Sequence, residues 1–210
     1  MDFGKRNVLV LAPHIDDAEF GCGGTISKLI SEGSKVHYLA FSDCRDSIPA
    51  DFPKDILRRE LESSVKKLKI TSYKVLDFQV RRFGFKSQEI LQTLVDVKNE
   101  LKPDLIFTPS RSDIHQDHQV VTNESIRAFK HSTILGYELP WNCLSLSSDT
   151  IVTLTEKELE NKINAIMCYD SQSHRIYHNR SYIKALAMTK GLTINRPFAE
   201  AFEMIRLIIN

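Results

Sequence analysis

The chain has no excess of either charge: 28 Lys and Arg stand against 27 Asp and Glu. A nucleic-acid groove or a surface that binds anionic membranes normally needs a clustered basic excess, so neither is expected as the main partner. A disulfide framework is missing as well. Cys22, Cys44, Cys143 and Cys168 are widely spaced and form no C-x-x-C pair, the pattern of reduced, mostly buried thiols in a cytoplasmic protein. No apolar run approaches membrane-spanning length, so no integral membrane segment is expected. The opening residues Met1 to Arg6 lack the apolar region and small-residue cleavage site of a signal peptide. There is also no repeat, low-complexity tract or Pro/Gly/Ser linker. The 210 residues, 42% of them hydrophobic, can bury a core without staples, and one domain over residues 1–210 is the simplest organisation.

What is present is an alternation. Residues 7–12 (NVLVLA) are an unbroken apolar run, as in a strand buried on both faces. Residues 19–31 carry apolar positions at helical spacing and stop at Gly33; residues 35–41 are the next strand. A helix after Pro53, a strand at 73–78, a helix at 87–101 and a strand at 104–108 follow. Further strands are predicted at 133–138, 150–154 and 201–209, and further helices at 156–168 and 182–189. Four strand–helix repeats with short connections predict a single-domain α/β fold with a Rossmann-like, doubly wound, mostly parallel sheet.

In open parallel sheets, ligands bind in the crevice beyond the carboxyl ends of the strands. Two polar clusters fall at such ends: Pro13 to Glu19 (PHIDDAE) after the first strand, and Ser110 to His118 (SRSDIHQDH) after the fourth. Imidazoles and carboxylates meeting in one crevice suit zinc or a related divalent first-row ion. Three protein ligands leave a position open, as in catalytic rather than structural sites. Asp16 and Asp17 project in different directions, so one can bind the ion while the other reaches water, and spacing leaves open which does which. His118 can ligate while His115, three residues earlier, faces substrate. Asp16 and Asp17 could also simply cap the following helix. Two clusters of the right donor type at adjacent strand ends favour the metal site.

These segments carry a family resemblance. APHIDDAEFGCGG resembles the zinc motif A-H-P-D-D-E of the LmbE/PIG-L N-deacetylases, and HQDH resembles their H-x-D-H. Tyr169-Asp170-Ser171-Gln172 is similar to their H-x-S-Q, and Ala199-Glu200-Ala201-Phe202 to their A-E-A-F. The resemblance implies that His14, Asp17 and His118 ligate the metal and that Asp16 is the general base. It implies that His115 stabilises the oxyanion or protonates the leaving amine, and that the Asp117 carboxylate orients His115. The last pairing joins positions i and i+2, so the HQDH turn must be partly non-helical. The implied substrate is a small-molecule N-acyl amino sugar, and the implied reaction is hydrolytic release of acetate. Ile15 replaces the family's proline, Glu19 comes one residue late for D-D-E, Tyr169 replaces a histidine, and Leu57 replaces an arginine before Glu60-Leu61.

Candidate substrate contacts come from the other strand ends: Asp43 and Arg45, Arg81 and Arg82, and residues 138–142 (ELPWN), where Trp141 could stack on a sugar. Two other readings compete. Gly21-Cys22-Gly23-Gly24 with Asp43 could form a dinucleotide site, although Ile26 occupies the place of the third glycine. A binding module without catalysis would not need His14, Asp16, Asp17, His115 and His118 together. A homo-oligomer is left open by the sequence.

Overall fold

Six residues of near-continuous apolar character, Asn7–Ala12, form β1 in the computed structural model, which describes residues 4–145 and 148–209. The chain continues through α1 (Asp17–Ser31), β2 (Lys35–Ala40), α2 (Ile56–Leu68), β3 (Ser72–Val75), α3 (Ser87–Leu101) and β4 (Leu105–Pro109). Then come α4 (Gln116–Ala128), β5 (Thr133–Tyr137), β6 (Thr150–Leu154), α5 (Glu156–Ile166), α6 (Arg180–Leu192) and β7 (Phe198–Arg206). The strands make one sheet in the order β3-β2-β1-β4-β5-β7-β6. β1 to β5 are mutually parallel, and β7 runs antiparallel to both of its neighbours. The expected doubly wound, mostly parallel sheet is what forms.

Side chains of β1 alternate between two cores. Val8, Val10 and Ala12 pack on the side of α1, α2 and α5, while Leu9 and Leu11 pack on the side of α3 and α4. The sheet is therefore covered on both faces, which is why its central strands read as unbroken apolar runs. Strand order reverses between β1 and β4. Chain connections diverge there, and the crevice at their carboxyl ends receives both His/Asp clusters. Among the described residues no helix is long and apolar enough to cross a membrane.

The Gly21–Gly24 run has a packing role. A Cβ at Gly21 would lie 2.2 Å from Cδ2 of Tyr137, and one at Gly24 would lie 2.4 Å from Cδ1 of Leu154. α1 kinks at Cys22 (φ −145°), and the half-helix beyond the kink is capped from another element. The amides of Gly24 and Thr25 donate to the Glu200 carboxylate at 3.0 and 2.7 Å, as does the Thr25 hydroxyl at 2.6 Å. Lys162 neutralises that carboxylate at 2.6 Å. These amides would have to face a pyrophosphate in the dinucleotide reading, and they are already satisfied. Asp43, the supposed ribose ligand, is held by Arg45 and Arg58 at 2.7 and 3.0 Å. The dinucleotide reading is therefore not favoured.

Gly21→Ala is expected to destabilise the fold by about 1–3 kcal/mol, because Tyr137 is fully buried and cannot yield freely. Its hydroxyl is tied to the Leu11 carbonyl at 2.9 Å. A lower urea midpoint at unchanged slope is the expected signature.

Candidate active site

β1 ends at Ala12, and the next turn sets His14, Asp16 and Asp17 on the edge of the crevice. Asp16 occupies the N-cap of α1, yet its side chain makes no capping hydrogen bond. The capping explanation does not describe it. Asp17 opens the helix, and its Oδ2 accepts from the His14 amide at 2.7 Å, closing the turn. From the other side, β4 leads into Asp113 and then to α4. His115 is the N-cap of α4 with extended φ/ψ (−69°, 124°), so the HQDH segment is non-helical at its first residue. His118 lies inside the first turn of α4 and is 1% exposed.

Three donor atoms converge between the two loops. His14 Nδ1 lies 3.2 Å from Asp17 Oδ2 and 3.0 Å from His118 Nε2, and His118 Nε2 lies 3.2 Å from Asp17 Oδ2. Ligands on a tetrahedral ion with bonds of about 2.0–2.1 Å stand about 3.3 Å apart, so this triangle has the right size. Tautomers make the same point. His14 Nε2 is 3.1 Å from Asp117 Oδ2, and His118 Nδ1 is 2.7 Å from Asp113 Oδ2. Each outer carboxylate claims the ring N–H, leaving the inner nitrogen as a lone pair turned toward its neighbours. Two facing lone pairs beside a carboxylate oxygen could hold a shared cation.

The electrostatics agree. Burial lowers the basicity of both imidazoles, but the charge of Asp17 and the hydrogen bonds that the rings donate to Asp117, Asp113 and Asp17 outweigh it. His14 is raised to about 9 and His118 to about 10. At 3.0 Å the two inner nitrogens cannot both carry a proton toward each other, and one shared cation could occupy the same field. Burial pushes the Asp17 carboxyl up, yet His118 and His14 hold it well below the usual range.

Ligating atoms of His14, His115 and His118 also lie within 4.8 Å of one another. His115 fits a ligand role poorly. Its Nδ1 accepts from the Asp117 amide at 3.2 Å, which leaves the proton on Nε2. Burial, followed by the neighbouring His118 and His14, lowers its pKa to about 4. His115 is thus a neutral N–H donor beside the cradle.

One expected pairing is corrected. The Asp117 carboxylate does not hold the His115 ring; it binds His14 Nε2 and accepts from the amides of Arg81 (2.6 Å) and Phe83 (3.3 Å). Side chains at i and i+2 diverge once α4 has begun, so Asp117 points back across the crevice to β1's loop. The residue that sequence reasoning missed is Asp113, whose two oxygens bind His118 Nδ1 and the His115 amide (2.9 Å). Its only signal was its place in the cluster. Asp113→Asn is expected to weaken metal binding about 10–100-fold, measured by competition with a chromogenic chelator.

Behind the His14–Asp17 turn sits a buried network. Glu19 accepts the hydroxyls of Tyr38 and Ser64 at 2.6 Å and of Tyr169 at 2.8 Å, and both tyrosines also reach the Ile15 carbonyl. Burial outweighs these bonds and raises Glu19 to about 7. Glu19 and Tyr169 therefore buttress the backbone that carries Asp16 and Asp17.

The cleft over the donor triangle encloses about 260 Å³. Asp16 lines it, with a carboxyl raised to about 6 by burial and then by the Asp17 charge, against the pull of Arg175 and His14. Among the sequence candidates, Arg81, Trp141 and Asn142 line the cleft, whereas Arg82, Asp43 and Arg45 do not. Glu138 turns away to Lys190 at 2.7 Å. Gln172, Arg175 and Tyr177 form a wall that sequence reasoning did not identify beyond the similarity at Gln172. Tyr177 stacks on Trp141 with ring centroids 3.9 Å apart and planes 7° from parallel, and Phe20 meets both edge-on.

Known proteins resemble this chain in sequence and in fold. Residues 9–129 match the family described as PIG-L: GlcNAc-PI de-N-acetylase. The probable N-acetyl-alpha-D-glucosaminyl L-malate deacetylase 2 of Bacillus cereus is 23% identical over 221 residues, covering 97% of this chain and 96% of that protein. Among solved structures, N,N'-diacetylchitobiose deacetylase from Pyrococcus horikoshii aligns with TM-score 0.80 and 23% identity over 94% of this chain and 83% of its own. The 4-carboxy-2-hydroxymuconate hydratase GalB from Pseudomonas putida KT2440 aligns with TM-score 0.78 and 18% identity over 97% of each chain. Likeness of that order establishes a shared fold; the reaction has to be argued from the site.

Proposed function

This chain belongs to the PIG-L family, and from that premise we propose that it hydrolyses the acetamide of an N-acetyl amino sugar, releasing acetate and a free amine. The observation that carries the proposal is the donor triangle of His14 Nδ1, Asp17 Oδ2 and His118 Nε2, with sides of 3.0–3.2 Å, beside Asp16, whose side chain makes no capping hydrogen bond. These three residues would hold one divalent ion, zinc or another first-row metal. Such an ion supplies Lewis acidity, polarising a carbonyl and lowering the pKa of water from about 15.7 to about 7.

Each side chain then has a defined task. Asp16 takes a proton from the attacking water as its oxygen bonds to the acetyl carbon. A base works best with a pKa near the operating pH, and burial moves Asp16 in that direction. His115, protonated on Nε2, donates to the carbonyl oxygen as negative charge develops there. As the C–N bond breaks, the proton held by Asp16 is delivered to the departing nitrogen. Asp117 and Asp113 fix the rings of His14 and His118. The stacked Trp141–Tyr177 pair offers an aromatic face to a sugar ring. The substrates named in the Bacillus cereus and Pyrococcus horikoshii proteins are N-acetylated amino sugars, which supports the same class here.

Acetate release from N-acetylglucosamine, N,N'-diacetylchitobiose and N-acetylglucosaminides tests the proposal, before and after dialysis against a chelator and after zinc is restored. Metal-reversible acetate release is the expected result. No acetate from any of them, or release indifferent to the chelator, would sink the proposal. Hydration of an unsaturated dicarboxylate instead would reassign the site.

A further inference from the structure

Two guanidinium groups line the cleft without a carboxylate in ion-pair contact. Six arginines elsewhere are matched with acids: Arg45 and Arg58 with Asp43, Arg59 with Asp55, Arg111 with Glu203, Arg127 with Glu124 and Arg180 with Glu160, whereas Arg82, Arg196 and Arg206 form no ion pair among the described residues. The two arginines that line the cleft, Arg81 and Arg175, form no ion pair among the described residues. Both are nonetheless fixed in place.

Arg81 is held through its backbone. It adopts a left-handed conformation (φ 65°), uncommon for a residue with a side chain, and this aims its amide at Asp117 Oδ2 at 2.6 Å. Arg175 is held by neutral acceptors. Its Nε donates to Gln172 Oε1 and its Nη1 to the Tyr177 hydroxyl, both at 2.6 Å. Gln172 in turn donates to Ser171 Oγ (3.2 Å), and Ser171 is clamped by the buried Glu60 carboxylate through its amide (2.8 Å) and hydroxyl (2.6 Å). A continuous chain of hydrogen bonds from α2 therefore presets one guanidinium at the cleft wall. Neutral partners orient it without spending its charge, and three of its five N–H bonds are left over. Asp16 feels the charge of Arg175 but forms no ion pair with it.

We propose that Arg175, assisted by Arg81, binds an anionic group, phosphate or carboxylate, on the substrate's aglycone or sugar ring. This rests on the deacetylase reading of the cleft and adds a charge requirement to it. A guanidinium accepts either oxyanion through paired N–H bonds, which is the shared chemistry. Arg175 acts in binding, and it takes no part in bond breaking.

Trp141, the single tryptophan, stacks on the tyrosine that Arg175 contacts, so its fluorescence reports occupancy independently of turnover. Zinc-loaded protein is titrated with methyl N-acetylglucosaminide, N-acetylglucosamine 1-phosphate and an N-acetylglucosaminide bearing a carboxylate, at low and high salt, alongside acetate-release kinetics. The charged ligands should bind about tenfold or more tighter than the neutral one, with the gap narrowing as salt rises. Preference for one anion over the other identifies the source. Arg175→Gln and Arg81→Gln should raise KM for the charged substrate about tenfold more than for the neutral one, erasing the preference between them. Arg175→Lys should recover part of the loss, and Arg196→Gln, at an exposed site outside the cleft, should have no effect. Equal binding of charged and neutral ligands overturns the proposal, as does an Arg175→Gln variant whose KM rises equally on both substrates. Anion-selective quenching without any acetate release would leave the anion site standing and remove the deacetylase reading. Acetate release with no anion preference would do the reverse.

Discussion

Asp16→Asn is expected to keep its metal and its fold while losing between about 10² and 10⁴-fold in kcat, the usual contribution of a positioned acid–base group. The asparagine amide has nearly the same shape but cannot take a proton from water. The defect should lie in kcat with KM little changed, since groups that meet the substrate elsewhere are untouched. Stability should hold or rise slightly, because Asp16 makes no capping bond and lies next to the Asp17 charge. Removing a carboxylate that burial and a like charge disfavour costs the fold nothing obvious. A bound dication would oppose those effects and favour the ionised form of Asp16. The wild-type rate should fall as acid protonates the base, and the Asp16→Asn residue of activity should lack that limb of the profile. If Asp16→Asn loses metal, or retains full turnover, the role assigned to it is wrong.

The second large effect is expected at Asp17. Asp17→Asn replaces the one anionic ligand of the triangle with a weakly donating amide, so bound metal and activity should disappear together. Metal analysis after dialysis gives the first measure. Thermal denaturation with added zinc gives the second: a ligand at 100 times its dissociation constant stabilises by about 2.7 kcal/mol, so wild type should shift and the variant should not. Asp17 also receives the His14 amide at 2.7 Å, which an asparagine carbonyl can still accept, so the turn should survive. Retention of metal by Asp17→Asn and its loss by Asp16→Asn would exchange the two roles. Full metal and activity in both variants would reduce the pair to features of the helix start.

The alternation of apolar runs with amphipathic stretches was enough to derive a doubly wound sheet, because buried parallel strands and their covering helices impose different periods on the chain. The same reading placed His14, Asp16, Asp17, His115 and His118 at strand ends, and the donor types announced a metal. Such features are local: a few neighbouring residues carry the whole signal. The insertion of β7 between β5 and β6, antiparallel to both, was not legible, since periodicity says that a strand exists and nothing about its neighbours. Nor did the sequence reveal that Asp117 serves His14, 103 positions away, while Asp113 serves His118. The Glu200 cap on the kinked helix and the chain from Glu60 to Arg175 were equally hidden. Those partnerships depend on how two loops dock across the crevice and on side-chain directions once helices begin. Sequence therefore determined which chemistry could gather at the carboxyl edge of the sheet. Tertiary structure alone decided which carboxylate holds which imidazole, because that choice is made by distances of a few ångströms between residues far apart in the chain.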